Sequence, residues 1–61
     1  TKVYKLHDSI HVEAFTTSLG IEGIKHNVFE YEEYTAIEVT GTPLEIIRAS
    51  TIYQQAIAFK L

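Results

Sequence analysis

The chain has no cysteine, no methionine and no tryptophan, and only one proline and three glycines in 61 residues. Without cysteine, neither a disulfide nor a thiolate zinc site can form. A chain this short buries only about 60% of the surface its unfolded form exposes, so its stability rests on a small core or on a partner subunit. Long apolar runs are also missing. None approaches the roughly 20 residues that cross a bilayer, and no basic start followed by an apolar stretch reads as a signal peptide. The expected setting is cytoplasmic, with no membrane partner. Basic residues are few, five against eight acidic for a net charge of −3, which argues against a partner held mainly by phosphate neutralisation. A start at Thr1 fits both removal of an initiator residue and excision from a longer protein.

What is present is enough to fold. A hydrophobic content of 46%, with four tyrosines and three phenylalanines, argues against intrinsic disorder. The length leaves room for one core, so residues 1–61 are expected to form a single small α+β domain.

The clearest local signal is Gly41-Thr42-Pro43-Leu44-Glu45. Thr42 can cap the first free backbone amides, Pro43 suits the first helical position and Glu45 completes a capping box. From there Ile46, Ala49, Ile52, Tyr53 and Ala56 share one helical face, with Leu44 and Ile47 outside it. Upstream, residues 24–31 and 34–40 are rich in β-branched and aromatic residues and alternate in character, which reads as a hairpin turning near Glu32-Glu33. The absence of Gly or Asn there predicts a loop longer than the two-residue primed turns. Lys2–Leu6 reads as a first strand. Residues 10–19 read as a helix capped by Asp8 or Ser9 and ended by Gly20, although Ile10, Val12 and Ala14 also alternate with His11 and Glu13 as a strand would. Residues 56–61 fit either the tail of the last helix or a final strand.

These elements predict a small ferredoxin-like domain, βαββαβ or βαββα, with two helices on one face of an antiparallel sheet. The alternative is four strands followed by one C-terminal helix. Leu19-Gly20-Ile21-Glu22-Gly23-Ile24, the hairpin, and Gly41-Thr42-Pro43-Leu44-Glu45-Ile46-Ile47 together resemble the outline of heavy-metal-associated domains over about half the chain. That resemblance implies ferredoxin-like topology. It does not extend to the metal, because those domains carry a cysteine pair before the first helix where this sequence has His7-Asp8-Ser9-Ile10-His11.

Catalytic signals are scarce. There is no glycine-rich phosphate loop and no His-Glu-x-x-His motif. Acylphosphatases show that a small ferredoxin-like domain can be an enzyme, but they use an arginine in a loop near the N-terminus, and the only arginine here, Arg48, falls inside the last helix. His7, Asp8 and His11 are the one cluster with metal-ligand character, and Asp8 is better used as a cap. No enzyme activity, metal or cofactor is expected.

The candidate contact residues are Glu30, Tyr31, Glu32, Glu33 and Tyr34 at the hairpin tip, and Leu44 and Ile47 as spare apolar helix surface. They predict a small protein-binding or regulatory module with a protein partner, acting as a monomer or as a homodimer, which pairing of exposed sheet edges could form. The alternative is a nucleic-acid-binding module that uses Phe29, Tyr31, Lys5 and Lys60 on the open face of the sheet. Strand parity is expected to bury Phe29 and Tyr31 in the core, which disfavours that alternative.

Overall fold

The computed structural model describes residues 1–58. They form β1 (Lys2–Leu6), α1 (Ser9–Ile21), β2 (His26–Glu30), β3 (Thr35–Val39) and α2 (Pro43–Ile57). The architecture is α+β, with two helices and one antiparallel sheet of strand order β1-β3-β2.

Asp8 starts α1, with an extended backbone and its carboxylate accepting the Ile10 N–H at 3.0 Å. The helical reading of residues 10–19 therefore holds, and the arrangement of four strands and one helix does not. Each β-branched residue in α1 costs a few tenths of a kcal/mol of helix propensity. Complete burial of Phe15 and Leu19, one turn apart, contributes about 1.5–3 kcal/mol each and outweighs that cost.

Gly20 does not end this helix, which continues to Ile21. Termination falls on Gly23, whose φ of 72° suits glycine. The Ile24 N–H then reaches the Leu19 carbonyl at 3.0 Å and the Gly23 N–H reaches the Gly20 carbonyl at 3.1 Å. This is the Schellman pattern, completed by its apolar contact, since Ile24 and Leu19 both lie in the core cluster.

At α2 the expected capping box is present in full. Glu45 N–H donates to the Thr42 hydroxyl at 3.3 Å, and the Thr42 N–H donates to the Glu45 carboxylate at 2.9 Å. The helix buries Ala49, Ile52 and Ala56. It also takes in Ala56 and Ile57, so a final strand beginning at residue 56 is excluded, and the rest of that expected strand lies outside the described residues.

The register sets the two faces of the sheet. Tyr4 pairs with Ile37, which pairs in turn with Val28, and these side chains face the helices. Tyr4 meets Phe15 edge-on at 5.1 Å and Tyr53 at 4.6 Å between ring centres, joining β1 to both helices. Around them Leu6, Ile24, Ile37, Val39, Ala49 and Ile52 complete the core.

The same register places Lys5, Ala36 and Phe29 in one row on the opposite face. Phe29 and Tyr31 are therefore not core residues as the strand parity predicts, but 45% and 56% exposed. The cause is the hairpin connection. With Tyr31 opposite Tyr34, odd positions of β2 share a face with even positions of β3, so placing Ile37 inside necessarily places Phe29 outside.

Candidate contact surface

The helices cover one face of the sheet, and the other carries a continuous set of aromatic and apolar side chains. In register order it holds Val3, Glu38 and Asn27, then Lys5, Ala36 and Phe29. Beyond them come His7, Tyr34 and Tyr31, drawn together at the hairpin end. Ala36 is buried although it faces away from the helices, flanked by Lys5 and Phe29. Its small side chain gives the face a shallow floor between a cation and an aromatic ring.

The hairpin tip is organised rather than loose. Tyr31 N–H donates to the Tyr34 carbonyl at 2.9 Å, and no non-glycine residue among those described has positive φ. The turn through Glu32-Glu33 is thus not one of the primed types, as the missing glycine implies. The Tyr31 and Tyr34 rings lie 5.1 Å apart with an interplanar angle of 37°. The Lys5 ammonium sits 5.2 Å from the centre of the Tyr34 ring, within cation–π range. His7 Nδ1 donates to the Glu33 carbonyl at 3.2 Å, because a carbonyl can only accept. This bond ties the tip to the end of β1.

Of the candidate residues, Tyr31 and Tyr34 therefore lie at the hairpin end of this face with Glu32 and Glu33 in the turn between them, whereas Glu30, in register with Thr35 and Leu6, belongs to the helix side of the sheet. Glu30, Glu32 and Glu33 are exposed. Leu44 and Ile47, 78% and 63% exposed, are not brought to them. They sit on α2, on the helix side of the sheet, near an ion pair in which Arg48 donates to both oxygens of Glu22 at 3.1 Å. The hydrogen bonds from Arg48, and then its charge, hold the Glu22 carboxyl below the usual carboxylate range. Ile10 and Ala14 of α1 are half-buried, and Ala14 packs against the core. Exposed Ile21 is an apolar residue that sequence reasoning missed, because a helix ending at Gly20 leaves it in a loop.

Near the metal-like cluster, Asp8 caps α1 and His7 binds the Glu33 carbonyl. Among the described residues no group of three or more His, Cys, Asp or Glu side chains is placed to hold a metal ion. No described helix is long and apolar enough to cross a membrane. No protein-family model, no curated protein and no solved structure matches this chain.

Proposed function

We propose that this chain is a small regulatory or protein-binding module without catalytic activity, and that it holds a protein partner against the open face of its sheet and the adjoining acidic hairpin. The observation that carries this reading is the exposure of Phe29 and Tyr31, next to Tyr34, on the face away from the described helices. Contiguous exposed aromatic surface on a small domain marks contact sites, since tyrosine and phenylalanine bury large area at low entropic cost. Glu38 on the same face and Glu32 and Glu33 in the adjoining turn lie beside it, which suits a partner with basic groups. The order βαββα, with β3 between two strands that each run antiparallel to it, supports a ferredoxin-like arrangement.

The test is photocrosslinking in the native host, with a benzophenone amino acid at Tyr31 or, on the far side, at exposed Gln54 of α2. The expected result is a discrete crosslinked protein from position 31 that is absent from position 54. The same adducts from both positions, or adducts from position 54 alone, would remove the sheet face from the contact.

A second reading gains from the exposure of Phe29 and Tyr31 beside Lys5, a possible stacking platform for single-stranded nucleic acid. The neighbouring carboxylates of Glu32, Glu33 and Glu38 and the net charge of −3 oppose it. It requires tyrosine fluorescence quenching by oligonucleotides at low salt, and no quenching there would end it.

A further inference from the structure

Among the described residues β2 pairs with β3 on one side only. The hydrogen bonds at the two ends of that ladder, Tyr31 N–H to Tyr34 and Thr40 N–H to Lys25, are 2.9 and 3.0 Å long. They show which β2 residues turn their backbone inward. Because antiparallel pairs alternate between bonded and non-bonded, Lys25, Asn27, Phe29 and Tyr31 direct their N–H and C=O groups to β3. His26, Val28 and Glu30 direct theirs to the free edge. Little in β2 blunts that edge: it contains no proline and no lysine, its one carboxylate, Glu30, stands at its end, and Val28 is 44% exposed although its register neighbour Ile37 is fully buried. Bare apolar edge strands are a liability that natural sheets usually cover or charge.

We infer that β2 pairs antiparallel with β2 of a second copy of this chain, about a two-fold axis at Val28, to make one continuous six-stranded sheet. Three features of the edge agree on this occupant and this register. First, the outward-facing groups are those of His26, Val28 and Glu30, and an antiparallel pairing centred on Val28 sets these same residues opposite one another. Slipping by one residue would set outward groups against inward ones and bring side chains from opposite faces into register. Second, the pairing is complementary in chemistry. Val28 meets Val28 of the second copy on the helix side, and His26 meets Glu30. The His26 ring donates through Nδ1 to the Ile24 carbonyl at 2.9 Å, so Nε2 is the ring atom that would meet the carboxylate. Third, the same register carries exposed Lys25 to Tyr31 at the acidic tip of the second copy, which supplies a cation to the aromatic–carboxylate cluster twice over by symmetry. On the outer face Phe29 meets Asn27, so the two aromatic surfaces become neighbours on one sheet.

A five-residue strand on each side buries less than the roughly 800 Å² per partner of a standard interface. The expected association is therefore weak, in the micromolar range or above. It is independent of the partner proposed for the open face, which pairing at this edge leaves uncovered.

The test is sedimentation equilibrium from micromolar to millimolar chain, combined with single-cysteine variants, which are clean because the chain has no cysteine. A two-fold at Val28 brings the two residue-28 Cα atoms to about 5.5 Å, within disulfide range, whereas the residue-27 pair is offset by two positions and out of range. Val28→Cys is expected to oxidise to a covalent dimer at least about tenfold faster than Asn27→Cys or Thr51→Cys. Val28→Lys, at an exposed site that leaves the monomer folded by circular dichroism, is expected to raise the dissociation constant at least about tenfold through like charges at the axis. A wild-type chain that stays monomeric at millimolar concentration overturns the inference. So does a dimer in which Val28→Cys crosslinks no faster than the controls, or which survives Val28→Lys unchanged.

Discussion

Two phenylalanines divide the molecule into a core and a contact face, and replacing each by alanine tests that division. Phe15 is fully buried against Tyr4 and Tyr53, and truncation at such a site costs about 3–5 kcal/mol. A 61-residue chain has a total stability of about 3–9 kcal/mol at 0.05–0.15 kcal/mol per residue. Phe15→Ala should therefore leave the chain largely unfolded, or nearly so, in buffer. Phe29 retains 45% of its exposure, and since full burial of such a side chain is worth about 1.5–3 kcal/mol, Phe29→Ala should cost about 1 kcal/mol. Urea titration followed by far-ultraviolet circular dichroism reads the difference. With a slope of about 1 kcal/mol per molar for so small a domain, Phe29→Ala shifts the midpoint by about 1 M, while Phe15→Ala removes most of the transition. Equal losses from the two substitutions would place Phe29 in the core and refute the assignment of the two faces. Retained fold in Phe29→Ala is also what makes it usable for testing the proposed contact.

Three further outcomes are expected. Thr42→Ala removes the hydroxyl that accepts from Glu45 N–H and should cost about 1 kcal/mol, a fall in Tm of roughly 4–8 °C for a domain of this size; an unchanged Tm would mean that the cap contributes nothing. Among the described residues Tyr4 buries its hydroxyl without a hydrogen-bond partner, so Tyr4→Phe should raise stability by up to about 1 kcal/mol by removing an unsatisfied group, and a clear loss in the urea midpoint would contradict this. Glu22 has its folded pKa lowered by Arg48, so its contribution is present above the unfolded carboxylate pKa and is lost as pH falls through the folded value. The stability gap between wild type and Glu22→Gln should close on acidification and shrink with salt, because the pair is solvent-exposed; a gap that is constant with pH would show that the ion pair is not its cause.

Much of the fold was legible because several signals agreed at the same residues. Thr42, Pro43 and Glu45 each favour a helix start by a separate mechanism, and α2 begins there. At α1 local signals conflicted, and long-range packing decided. Whether Phe15 and Leu19 outweigh the β-branched residues depends on there being a sheet beneath them, which the segment itself does not encode. Gly20 and Gly23 offered two stops, and only the hydrogen bonds from Ile24 and Gly23 distinguish them. The contact face was misread for a different reason. Phe29 and Tyr31 are apolar enough for a core, and hydrophobicity alone sends them inward. The information that reverses this is the parity of the hairpin connection, fixed by Tyr31 opposite Tyr34. Glu32-Glu33 did signal an unusual turn, but not how many residues it contains.

That misreading has a physical meaning. A sheet covered by helices on one side can recruit only alternate residues of each strand, and in this chain Tyr4, Leu6, Ile37 and Val39 fill that role. Aromatic residues in the other positions add little to folding and expose apolar area to water. If this outer face were merely solvated, polar or charged residues at positions 3, 29 and 31 would cost the fold no more than about 1 kcal/mol each. Glu38 and Asn27, in register with Val3 on the same face, show that the sheet accepts such residues there. Apolar side chains are instead grouped toward the hairpin, where Lys5 and His7 also hold the tip in place. The fold alone does not account for that grouping, whereas a partner that completes the burial of Phe29 and Tyr31 does.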